Sequence, residues 1–141
     1  METFFLVLCY NKIENDDKEG KFMERQEFLD KFEKADKKVK KEYFEQSIQR
    51  SIEASMIEGM PVGHQNLIIA MEELSELAKE VSKHLRGRGD YYATVEELAD
   101  ALLMIAYIQQ ICDISDDAIN KALNVKLNRL NDVLDKEGHY N

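Results

Sequence analysis

Apolar positions recur along most of the chain with a helical period rather than an alternating one. Between residues 24 and 58 they fall at Phe28, Phe32, Phe44, Ile48, Ile52 and Met56. This predicts one helix or two, with a break in the basic stretch Lys37–Lys41, itself read as a solvated face or a helix end. Gly59-Met60-Pro61-Val62-Gly63 is the clearest breaker in the sequence. Three helices are predicted beyond it. The first covers 65–86 and stops at Arg86-Gly87-Arg88-Gly89-Asp90, with Gly87 just past the cap. The second covers 94–112, with Thr94 as N-cap and Glu97 at capping-box spacing. The third covers 115–134, capped by Ser115, with Asp116 and Asp117 near its positive end.

The middle helix of these three is apolar all round at Ala101-Leu102-Leu103-Met104-Ile105-Ala106-Tyr107-Ile108. Such a helix is covered on several sides. Either the 24–58 helices or a second subunit covers the far side, and a homo-oligomer, dimer or tetramer, is the simplest solution. Leu74, Leu77 and Val81 on the first helix are expected to form a packing seam with Leu98, Leu102 and Ile105 on the second.

Residues 10–22 are polar and irregular, whereas Met23 opens a clean helical segment. Two readings of the N-terminus follow. Residues 1–22 are a loosely attached tail, or an over-called start with translation beginning at Met23. Alternatively, the apolar run Phe4–Cys9 is a short arm that packs on the rest. The expected division is therefore a tail at 1–22, a helical extension at 23–58 and a helical domain at 59–141.

Composition narrows the class. A chain of 141 residues is the size of one domain. With 44% hydrophobic and 33% charged residues it is too apolar for a disordered chain and too charged for a membrane protein. One proline and six glycines argue against a many-turned β fold and for an all-α antiparallel helical bundle. The net charge of −9 disfavours nucleic acid as a partner. Residues 42–141 hold eighteen acids against nine bases, so the whole excess arises there. Cys9 and Cys112 form no CxxC pair, and no secretory leader or membrane span is legible, so the chain reads as cytoplasmic.

The acids are patterned. Glu72-Glu73-Leu74-Ser75-Glu76 has the form EExxE, and Glu97-Leu98-Ala99-Asp100 has the form ExxD. Residues three apart share a helical face, so Glu73 pairs with Glu76 and Glu97 with Asp100. Two helices joined by a short connection pack antiparallel, which brings both pairs to one level. The pairs either face water or converge on a cation. Converging carboxylates repel one another, and hard oxygen ligands suit Mg²⁺ or Mn²⁺. No Cys or His joins them as in a zinc site, and Glu80 and His84 stand four apart rather than as the ExxH of di-iron bundles.

These motifs, within HQNLIIAMEELSELAKEVSKHLRGRGD, TVEELADALLMIAYIQQ and VKLNRL, resemble the MazG-like family of all-α nucleoside triphosphate pyrophosphohydrolases over about residues 60–134. The resemblance implies an oligomeric helical bundle and Mg²⁺-dependent cleavage between the α- and β-phosphates. It implies metal ligands at Glu73, Glu76, Glu97 and Asp100, and a water-orienting or water-deprotonating acid at Glu72. Lys83, Arg86, Arg88, Lys126 and Arg129 are then the candidate phosphate ligands. Gln65 and His64 open the first helix where they reach base or sugar, and Tyr91 and Tyr92 either stack on a base or pack. The competing reading is a non-catalytic helical oligomer with a structural cation, or a nucleotide-binding relative without activity.

Overall fold

In a computed structural model of the chain, residues 18–136 are described. The apolar run at 4–9, Cys9 and His139 lie outside them, as does most of the expected tail. Every regular element among the described residues is an α-helix: α1 (Lys18–Lys34), α2 (Lys41–Ala54), α3 (His64–Leu85), α4 (Tyr91–Ile111) and α5 (Asp116–Lys136). None of them is long and apolar enough by itself to cross a membrane. The break in the first helical segment falls at residues 35–40, within one turn of the expected basic stretch. α1 runs through Met23 without interruption, so the expected boundary at 22/23 lies inside a helix.

The chain divides into two compact units between Ile108 and Gln109, near the end of α4. α2 lies in the first unit with α3 and α4 and contributes to its core. That core consists of Ile48 and Ile52 from α2, Ile69 and Ala70 from α3, and Ala101, Met104 and Tyr107 from α4. The Tyr107 hydroxyl donates to Ser51 Oγ at 2.6 Å and ties α4 to α2. In the second unit α5 is amphipathic in sequence, but none of its residues is buried.

The seam between α3 and α4 differs from the expected one. Val81, Leu98, Leu102 and Ile105 are about half exposed or more, and Leu74 is over a third exposed. Both helices carry two apolar faces. The face turned inward runs through Ile69, Ala70, Glu73 and Glu80 on α3, a spacing of three, four and seven. On α4 the buried positions are Ala101, Met104 and Tyr107. α2 decides between the two faces, since Ile48 and Ile52 must also be covered.

Two turns set the register. After α3, Arg88 N–H donates to the Lys83 carbonyl at 2.9 Å and Gly87 N–H to the His84 carbonyl at 3.1 Å. This is a Schellman closure, and Gly87 takes the left-handed φ of 72° that it requires. The same closure ends α4, where Ile114 N–H reaches the Gln109 carbonyl at 2.8 Å and Asp113 N–H the Gln110 carbonyl at 3.2 Å. There Asp113 takes the left-handed position with φ 53°, which a short polar side chain tolerates. Ser115 caps α5 as expected, accepting from Ala118 N–H at 3.1 Å.

The cap of α4 is a correction. The helix begins three residues before the expected start, and Asp90 rather than Thr94 is its N-cap, with Oδ1 accepting from Ala93 N–H at 2.8 Å. The Thr94 hydroxyl instead donates to the Asp90 carbonyl at 2.7 Å and lies 2.6 Å from His84 Nε2. Arg25 of α1 adds a second hold on Asp90 Oδ1 at 2.5 Å. Beside it Phe32 meets the Tyr92 ring edge-on, with centroids 5.8 Å apart. The Arg25 guanidinium, with the Ala93 N–H next, keeps the Asp90 carboxyl below its ordinary value.

Asp90→Ala should therefore destabilise the protein by about 1 kcal/mol in urea unfolding, and Thr94→Ala by less. A larger effect at Thr94 would restore the capping box. Because the Asp90 pKa is depressed, its contribution is complete above the unfolded carboxyl value of about 3.9 and is lost as pH falls below it. Asp90→Asn keeps a capping side chain and should flatten that acid limb in melts run between pH 5 and pH 2.

Candidate metal centre

The inner face of α3 carries carboxylates where a helix in a packed pair normally carries aliphatic groups. Glu73 is buried at 9% exposure, and Glu97 and Asp100 of α4 are half-buried. One oxygen from each of the three lies within 4.8 Å of the others. The antiparallel run of the two helices makes this possible. Moving forward along α3 from Glu73 to His84 moves the partner backward along α4, from Asp100 to Thr94. Glu97 and Asp100 stand one turn apart and both meet Glu73 from the opposite helix.

Three ionised carboxylates at this spacing repel. At 4.8 Å each pair costs roughly 3 to 4 kcal/mol at an effective dielectric of 20. A shared cation or a shared proton removes the cost. Oxygens on one octahedral Mg²⁺ lie roughly 3 Å apart when adjacent and roughly 4 Å apart when opposite, so small side-chain rotations close the set around such an ion. The donors are all oxygen, which suits Mg²⁺ or Mn²⁺ and not zinc.

The expected site residues separate into those that meet and those that do not. Glu73, Glu97 and Asp100 come together. Glu76 stays outside the set; its Oε1 accepts from Lys79 Nζ at 3.1 Å and its side chain is 43% exposed. Glu72 is exposed, because neighbours on a helix point about 100° apart and only one acid of the EE pair can face inward. Lys83 donates to Glu80 Oε1 at 2.6 Å. Arg86 and Arg88 are exposed in the α3–α4 connection, and Gln65 is half-buried in the first turn of α3. Lys126 and Arg129 are exposed on α5, in the second unit. His64 is exposed, and the rings of Tyr91 and Tyr92 meet edge-on 5.1 Å apart, so Tyr92 packs between Tyr91 and Phe32.

One residue was missing from the expected set. Glu80 lies two turns beyond Glu73 on the same face and is equally buried at 9%. Its Oε2 is buried with no hydrogen-bond partner. The seven-residue spacing from Glu73 was the available signal. It is masked in the sequence by the more conspicuous EExxE.

Comparisons with protein-family models, with curated proteins and with solved structures give no significant match. The site therefore has to be read from its own geometry.

Glu73→Gln should raise the melting temperature of the protein in EDTA, because it removes one of the three converging charges. A fall in melting temperature would show that the native packing satisfies the carboxylate without help from a cation.

Proposed function

We propose that the chain is a Mg²⁺-dependent nucleotide pyrophosphohydrolase, with Mn²⁺ as a possible substitute, that converts a nucleoside or deoxynucleoside triphosphate to the monophosphate and pyrophosphate. The observation that carries this reading is the meeting of Glu73 with Glu97 and Asp100 across two helices. These are the positions at which the EExxE and ExxD motifs resemble those of MazG-like enzymes. A solvated acidic face would not bury Glu73.

In this reading Glu73, Glu97 and Asp100 hold the ion. Glu76 joins them by leaving Lys79, an exchange that costs little because half-exposed ion pairs are weak. A divalent cation held there would lower the pKa of a bound water and neutralise phosphate charge. Glu72, on the neighbouring position at the rim, orients that water. Attack at the α-phosphorus breaks its bond to the bridging oxygen, and pyrophosphate leaves. Lys83, Arg86 and Arg88 stand at the α3–α4 connection and receive phosphate oxygens, while Gln65 at the start of α3 takes the base or sugar.

The outer faces of α3 and α4 fit the oligomeric part of this reading. Ile68, Met71, Val81 and Leu85 form a stripe on α3, and Leu98, Leu102 and Ile105 form one on α4, all at least 42% exposed. Two adjacent apolar stripes are what a second copy would cover to make a helical bundle across a two-fold axis. A cytoplasmic nucleotide pool is the setting that such an activity serves.

The test is pyrophosphate release across a panel of ribo-, deoxyribo- and modified triphosphates with Mg²⁺ or Mn²⁺. Release is expected for a subset of them. A catalytic divalent ion is worth several kcal/mol of transition-state stabilisation, which weakened ligation forfeits. Glu73→Gln and Asp100→Asn should therefore each lower the rate by at least about a hundredfold while circular dichroism shows the helices retained. Turnover that survives both substitutions would refute the assignment.

A further inference from the structure

The α3–α4 connection is held by a side chain from α1, a helix that carries no part of the acidic motifs. Arg25 pairs with Asp90, and both side chains are a little over two-fifths exposed, at 43% and 44%. The carboxylates of Asp90, Glu96 and Glu80 together raise the pKa of Arg25, with the Asp90 hydrogen bond the largest influence. Glu96 directly precedes the cluster residue Glu97, and Glu80 shares a helical face with Glu73. Arg25 thus stands at the connection end of the same polar seam that holds the three carboxylates. Seven residues of helix separate Glu73 from Glu80, about 10 Å along the axis.

Lys83 stands at the same end, bound to Glu80 Oε1, while Glu80 Oε2 is buried without a hydrogen-bond partner. Two cations are therefore parked on single carboxylates at one end of the site. The two pairs respond to an anion differently: Arg25 can exchange Asp90, whereas Lys83 keeps the buried Glu80 and offers its remaining ammonium donors. Arg25 with Asp90 is half exposed, and Lys83 is 46% exposed on its outer side. Asp90 does not depend on Arg25 for its place, because it also accepts from Ala93 N–H. A phosphate offers a guanidinium a two-pronged partner with more charge than one carboxylate.

We propose that Arg25, together with Lys83, binds the phosphates of a polyphosphate chain that lie farthest from the Glu73–Glu97–Asp100 centre, exchanging Asp90 for the anion. This rests on the pyrophosphohydrolase reading and extends it. It gives α1 a part in substrate binding, and it gives the site a preference for chains of three phosphates over one. Asp90 holds the guanidinium in place until the anion arrives and keeps α4 capped afterwards.

The experiment is titration calorimetry of the full chain with inorganic tripolyphosphate in the presence of Mg²⁺. The wild-type chain is expected to bind, and Arg25→Ala to bind about tenfold more weakly. Arg25→Lys restores part of the loss, since it keeps the charge without the fork. Asp90→Asn keeps a capping side chain, frees Arg25 and does not weaken binding. A purely structural clamp would make Asp90→Asn and Arg25→Ala lose affinity equally, and that result would overturn the proposal. So would an Arg25→Ala affinity within twofold of wild type, or a wild-type chain that does not bind tripolyphosphate. Pyrophosphate release by the wild-type chain decides the underlying activity separately. Its absence, with the Arg25 effect intact, would leave a polyphosphate-binding site without that reaction.

Discussion

The convergence of like-charged carboxylates from two facing helices is the constraint on which the candidate site depends. Glu73, Glu97 and Asp100 are brought within 4.8 Å of one another at a place where most helix pairs put leucine. Ionised carboxylates this close repel one another, and a shared cation relieves that repulsion. The means of their convergence are visible in the connection. Gly87 closes α3 in a left-handed turn, Asp90 opens α4, and Arg25 fixes Asp90 from outside. At the opposite end Tyr107 bonds to Ser51 of α2. The Gly87 turn and the Asp90 cap set where α4 starts relative to the end of α3, and a shift of one residue would turn the acids away from one another.

The helices themselves were legible. Their periodicity, the break near 35–40, the Gly59–Gly63 breaker and the Ser115 cap all follow from local chemistry that tertiary structure has no reason to override. The start of α4 was not. Thr94 with Glu97 makes a plausible capping box, but Asp90 is itself a strong cap, and α1 reinforces it with a contact sixty-five residues away in sequence. A local pattern cannot register a distant arginine. The α3–α4 seam departs from the sequence pattern for a different reason. Both helices are apolar on two faces, and only the burial of Ile48 and Ile52 on α2 selects the inner one.

Much the same holds for the site. The two acidic motifs mark the candidate site, and three of their carboxylates meet. Periodicity alone could not distinguish Glu76, which turns to Lys79, from Glu80, which turns inward. The two glutamates differ by one turn, and the crossing of the helices determines which is enclosed. The basic residues were the least legible, because long side chains choose partners by proximity. Lys83 found Glu80, and Arg25 of the N-terminal extension found Asp90.

The central claim is that the converging carboxylates are a divalent-cation site and not a decorated helix face. Anomalous scattering from crystals grown with Mn²⁺ tests it most directly. The account predicts a peak between Glu73, Glu97 and Asp100, with manganese–oxygen distances near 2.2 Å. A map without density there, or with manganese confined to the exposed Glu72 and Glu76 surface, would contradict it.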